Sequence, residues 1–149
     1  MKNYFKTQEY VSKDVYKARG EKSMQLIDNR IPVFLNNLRE ALGVPITVND
    51  WLWGGRCEWR GLRNSNSSDY TPFSQHNFGR ALDFKVSGMT SDDVRKWIID
   101  NRELDWVKPI TFLESEISWV HIDCRATPNN QLWVWGLHSN KTTVYNRVN

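Results

Sequence analysis

The chain contains three histidines, His76, His121 and His138. Two of them stand in company that could do chemistry. His76 lies in Ser74-Gln75-His76-Asn77-Phe78-Gly79-Arg80-Ala81-Leu82-Asp83, and His121 in Ser118-Trp119-Val120-His121-Ile122-Asp123-Cys124-Arg125. A lone histidine is most often a satisfied structural residue, and the His76–Asp83 spacing alone is weak. The combination says more. His76 ends a glycine-rich stretch, Gly79 permits a tight turn, Ala81 leaves room for close packing, and Asp83 falls on the strand that follows. His121 sits within an apolar strand, where an unpartnered imidazole would be costly to bury. Two histidines and one aspartate from separate segments make a zinc shell of the catalytic kind, with three protein ligands and a fourth position for water. His138 has no such neighbours and reads as a surface or packing residue.

Strand geometry adds a second layer. Alternation puts His121, Asp123 and Arg125 on one side of their strand. Asp123 is thereby placed near the metal as a residue that could orient a ligand imidazole through its second nitrogen. Trp119 shares that face and could wall a cleft, whereas Cys124 points the other way.

The elements that must position these residues follow from the apolar pattern. Ile31, Leu35, Leu38 and Leu42 mark one face of a helix within Ser23 to Leu42, which kinks or begins near Pro32 and stops at Gly43 and Pro45. Ile46-Thr47-Val48 reads as a short strand. Asp50 to Phe73 is a long aperiodic stretch, a length that usually serves function inside a compact domain. Ala81 to Val86 reads as a strand. Thr90 or Ser91 caps a helix to about Asn101, with Val94, Trp97 and Ile98 facing inward. Ile110 to Leu113, Ser118 to Cys124 and Leu132 to Trp135 read as three strands whose short connections favour antiparallel pairing. The expected fold class is α+β, with helices packed on a mainly antiparallel sheet. The basic residues 1–22 are expected to be an arm or helix, and residues 23–149 a single domain.

Composition bounds the rest. In 149 residues, 40% are apolar, enough for one core. A net charge of +3, spread along the chain, does not suggest a nucleic-acid partner. No window is long and apolar enough for a membrane span, and the start, Met1-Lys2-Asn3-Tyr4-Phe5-Lys6, has no secretory h-region. Cys57 and Cys124 are too few for a disulfide framework, and two thiols are the default reading. Eight tryptophans are the unusual feature; tryptophan fills cores and also lines clefts where sugar-bearing or extended ligands stack.

The pattern Ser74-x-His76-x-x-Gly79-x-Ala81-x-Asp83, followed by Trp119-x-His121-x-Asp123, resembles the M15 zinc peptidases: the D-alanyl-D-alanine carboxypeptidases, the L-alanyl-D-glutamate endopeptidases and many phage endolysins. The metal-binding core of Hedgehog signalling domains is similar. The resemblance reaches roughly from Leu26 to Arg125 and is strongest to the small phage-associated branch. It implies a Hedgehog/DD-peptidase-like fold, with His76, Asp83 and His121 as zinc ligands. It also implies a carboxylate that takes a proton from the attacking water and gives it to the leaving amine. In several members this glutamate stands three residues before the second histidine, where this chain has Ser118. Glu114, at the end of the preceding strand, is the first choice and Glu116 the runner-up. The family's arginine for a substrate carboxylate falls on Arg63 in Gly61-Leu62-Arg63, with Arg56 as the alternative, and Ser74 falls in the site or caps the turn.

The resulting expectation is a monomeric zinc metallopeptidase acting on peptidoglycan stem peptides and encoded by a phage or prophage. It would be made in the cytoplasm and reach the wall after lysis or within a phage particle. The alternative expectation, from the displaced glutamate, is a non-catalytic zinc module of the same fold with a structural or recognition role.

Overall fold

The computed structural model describes residues 2–148. Among the described residues, three α-helices and a six-stranded sheet make an α+β fold. The helices are α1 (Lys13–Arg19), α2 (Arg30–Leu42) and α3 (Ser91–Asp100). The strands are β1 (Ile46–Thr47), β2 (Ala81–Val86), β3 (Phe112–Ser115), β4 (Val120–Asp123), β5 (Leu132–Gly136) and β6 (Thr142–Tyr145). Their spatial order is β1-β2-β4-β3-β5-β6.

Pairing is antiparallel except between β3 and β5, which run parallel. This differs from the antiparallel pairing expected for the last strands. The short connection does reverse the chain between β4 and β5, but β3 already occupies the place beside β4. The chain therefore passes the end of β3 and pairs on its far side. Strand β6 was not anticipated, because its residues are mostly exposed and carry no apolar alternation.

One sheet face is covered by helices. Leu82, Phe84, Val120, Ile122 and Leu113 point into a core with Ile31, Phe34, Leu35 and Leu38 of α2 and Val94 and Ile98 of α3. Helix α2 starts at Arg30, so Pro32 falls in the first turn, where its missing N–H costs nothing. Gly43 ends it at φ 70°. Thr90 caps α3 by accepting the Asp93 N–H while the Asp93 carboxylate accepts the Thr90 N–H.

The opposite parity of β2, β4 and β3 carries Asp83, His121, Asp123, Phe112 and Glu114 to the other face, which is left open as a cleft. Arg95 of α3 is buried and its guanidinium donates to the carbonyls of Trp119 (2.9 Å) and Ile117 (3.1 Å). It thereby fastens the β3–β4 turn to the helix. Both cysteines are free; Cys124 is buried, which pushes its thiol up to about 12.

Residues 2–22 pack as part of this body. Phe5, Tyr10 and Val11 are buried in the shared core. The Val11 carbonyl accepts from Asn49 Nδ2 (3.1 Å) and Trp51 Nε1 (2.8 Å), and the Tyr10 carbonyl from the Leu62 N–H (2.8 Å). The basic residues occupy its outer surface, which is why composition alone reads it as an arm. Burying three such side chains is worth about 1.5–3 kcal/mol each, against a total stability of about 5–15 kcal/mol for a typical domain. A protein lacking residues 1–12 is therefore expected to lose its cooperative thermal transition by circular dichroism; a sharp transition near that of the full chain would show the segment to be dispensable.

Candidate metal centre

His76 is carried by a single helical turn, Gln75–Phe78. Ser74 starts that turn, its Oγ accepting the His76 N–H at 3.3 Å. Gly79 ends it at φ +66°, and a Cβ there would strike the Leu26 carbonyl. Glycine is required at that position on both counts. The His76 Nδ1 lies 2.8 Å from the Gly61 carbonyl oxygen. A carbonyl only accepts, so Nδ1 donates and Nε2 is the nitrogen presented to the site. Gly61 is itself pressed against the Tyr10 backbone, where no side chain would fit.

His76 Nε2 faces Asp83 Oδ1 at 3.3 Å. His121 Nδ1 faces the same oxygen at 2.8 Å, from directly across the β2–β4 ladder. The other nitrogen of His121, Nε2, lies 2.9 Å from Asp123 Oδ2. Asp123 is fully buried, and Arg125 grips it with Nε at 2.9 Å and an Nη at 2.6 Å. The Arg125 guanidinium lies 3.5 Å above the Phe112 ring. Ligand atoms of His76, Asp83 and His121 all fall within 4.8 Å of one another.

The charges of this cluster are coupled. Burial pushes the Asp83 carboxyl up, but the imidazoles of His121 and His76 outweigh it and hold the group well below the usual carboxylate range. Burial pushes His121 down, yet hydrogen bonds to Asp123 and Asp83 raise it to about 9. Two imidazole nitrogens turned onto one carboxylate oxygen are satisfied by protons or by a cation. The donor set, two nitrogens and one oxygen with one side open, is of the type that zinc accepts. His121 also has the carboxylate behind its distal nitrogen that metal-bound histidines usually have.

A cleft of 780 Å³ opens above these residues, lined among others by Arg63, Ser74, Glu114 and Trp119. Glu114 is the Cα partner of His121 on β3, and its carboxylate has no hydrogen-bond partner among the described residues. Glu116 has a different fate. It follows the end of β3 with φ 67°, and its Oε1 accepts the N–H groups of Ser139 (2.8 Å) and His138 (3.0 Å). Those bonds, Ser139 first, lower its pKa and commit it to the β5–β6 turn. His138 is an exposed residue of that turn, away from the cleft.

Arg63 is held inside the site rather than on the surface. An Nη lies 3.2 Å from the Trp59 carbonyl and 3.6 Å from Asp83 Oδ2, while Nε is buried without a partner. Arg56 is exposed and lines an adjoining pocket of 330 Å³. Sequence reasoning missed Arg95 and the paired tryptophans of β5. A charged residue on α3 gives no sign that it is buried, and alternation along β5 could not say which face was open.

Neither a protein-family profile, nor a curated protein, nor a solved structure matches this chain.

The raised pKa of His121 has a measurable consequence. At pH 7 the metal-free site holds an imidazolium, and a cation that takes the Nδ1 lone pair must displace its proton. Zinc uptake at pH 7 is expected to release close to one proton per chain, and apparent affinity to climb until about pH 9 and then flatten. Calorimetry in buffers of different ionisation enthalpy measures this; uptake heats independent of buffer would contradict it.

Proposed function

We propose that this chain is a zinc-dependent peptidase of the Hedgehog/DD-peptidase-like fold that hydrolyses the stem peptides of bacterial peptidoglycan, acting as a monomer. The observation that carries the reading is the convergence of His76, Asp83 and His121 at the floor of an open cleft, with the unpartnered carboxylate of Glu114 on the next strand. Of the other residues named from the resemblance, Arg63 and Ser74 line the same cleft, whereas Arg56 and Glu116 do not.

His76 Nε2, an Asp83 oxygen and His121 Nδ1 would hold the ion. Zinc, when bound, supplies a Lewis acid that polarises the scissile carbonyl and makes hydroxide available near neutral pH. Gly61 and Asp123 fix which nitrogen each imidazole presents. Glu114 accepts the proton of the attacking water and delivers it to the leaving amine. Arg63 supplies a planar fork for a carboxylate on the substrate, of which stem peptides carry several. Ser74 serves by capping the turn that carries His76.

The test separates the two glutamates. Glu114→Gln keeps size and hydrogen bonding but cannot take up the proton, so it should bind zinc normally and lose at least ~100-fold in turnover of wall peptides. Glu116→Gln should stay near wild type, because that carboxylate is turned to the β5–β6 turn. A swapped outcome would reassign the base. If the zinc-loaded wild type releases no fragment from peptidoglycan by mass spectrometry, the non-catalytic zinc module becomes the better account.

A further inference from the structure

The strand registers draw a line across the open face of the sheet. Asp83, His121, Glu114, Trp135 and Thr142 are successive Cα partners on β2, β4, β3, β5 and β6. The adjacent row runs through Ala81, Asp123, Phe112, Trp133 and Val144. Trp133 and Trp135 therefore stand on the same sheet face as Asp83 and His121, beyond Glu114, and both line the cleft that His76 also lines. At a strand spacing of about 4.8 Å, the Trp135 backbone lies about 10 Å from that of His121.

These indoles are held in place by their own edges. Trp133 Nε1 donates to Gln131 Oε1 at 3.1 Å, and Trp135 Nε1 to Asn140 Oδ1 at 2.9 Å. Their N–H groups are thus used internally, and what they offer a ligand is ring surface. Phe112, in the same wall, already has the Arg125 guanidinium on its face. The rest of the lining combines aromatic rings, Phe73 and Trp119, with polar side chains, among them Thr71, Gln75, Thr127 and Thr142, and Ala126 is the sole aliphatic side chain among the described residues of the cleft. An aliphatic peptide side chain would find little aliphatic packing there. A ligand with an apolar ring face and a hydroxylated rim meets aromatic surface below and hydroxyls and amides around it.

We propose that Trp133, Trp135 and Thr142 form a carbohydrate-stacking subsite, so that the substrate is a stem peptide still joined to its amino sugar. This rests on the peptidase reading for the peptide half, but the sugar half is independent of it. A span of about 10 Å corresponds to about three extended backbone units. A sugar seated on the tryptophans therefore brings the bond one or two residues from the sugar to the ligand row. The far end of the stem peptide would lie beyond it.

The probes are the N-acetylglucosamine tetramer and an N-acetylmuramoyl-pentapeptide, used with the zinc-loaded full chain. The tetramer should shift the indole resonances of Trp133 and Trp135 in NMR spectra. Its affinity should fall about tenfold in Trp135→Ala, recover within about threefold in Trp135→Phe, and be unaffected by Trp53→Ala, whose indole lies outside this cleft. Mass spectrometry of the digested muramoyl peptide should place the cut one or two residues from the sugar. Equal tetramer affinity in wild type and Trp135→Ala overturns the proposal, as does a cut at the distal end of the peptide. If the muramoyl pentapeptide is not hydrolysed but the tetramer binds through the tryptophans, the peptidase reading falls and the sugar subsite stands. An affinity loss in Trp135→Ala for the free pentapeptide alone, with no tetramer binding, gives the tryptophans to a peptide side chain and overturns the subsite.

Discussion

A carboxylate buried in the middle of a sheet is tolerated only if its surroundings supply positive charge or hydrogen-bond donors in the right places. Asp83 is that carboxylate, and much of the molecule is arranged around it. His121 reaches it from the neighbouring strand, His76 from a turn just before its own strand, and Arg63 from the long loop. Each approach requires a different segment to arrive at one point. Removing any one would leave a buried charge short of a partner, whereas a metal ion would satisfy the same oxygen and both imidazoles together. The burial requirement and the binding capacity are thus one property of the same cluster.

The segments that deliver these partners are tied to one another by backbone contacts. The Tyr10 and Val11 carbonyls hold Leu62, Asn49 and Trp51, and thereby set the path of the loop that contains Gly61. The Gly61 carbonyl then selects the tautomer of His76. The Arg60 carbonyl accepts the Asp83 N–H at 2.7 Å, so the same loop also edges the strand carrying the buried carboxylate. The polar N-terminal segment acts on the site through two intermediates while touching none of the ligands. On the opposite side, Arg95 holds the β3–β4 turn and so sets where Glu114 and Trp119 stand.

This division explains what could be read from sequence. Helices α2 and α3 and strand β2 announce themselves because local signals agree with burial: the spacing of Ile31, Leu35 and Leu38, the Thr90 cap, and the apolar run after Ala81. The His76, Asp83 and His121 set was legible because each residue lies in a short motif whose glycine or alternation has a geometric cause. The parallel β3–β5 pair was not legible, since strand order depends on which space is already filled, a property of no single segment. Strand β6 was hidden because an edge strand with an exposed, threonine-rich surface lacks the alternation that marks a half-buried one. The role of the N-terminal segment was obscured because its lysines and arginines outnumber the buried apolar side chains that fix it, Phe5, Tyr10 and Val11.

The contrast between Glu114 and Glu116 shows how such limits operate at one residue. In an uninterrupted strand both would point to the same face, two positions apart, and nothing in their spacing would separate them. The separation arises where the strand ends. Ser115 is the last residue of β3, and the left-handed conformation of Glu116 swings its side chain out of the alternation. The displaced carboxylate then finds two N–H donors in the β5–β6 turn, which the parallel pairing of β5 with β3 brings beside the end of β3. The same parallel strand that could not be foreseen therefore removes one glutamate from the cleft. It also brings two tryptophans into that cleft beyond the glutamate that remains.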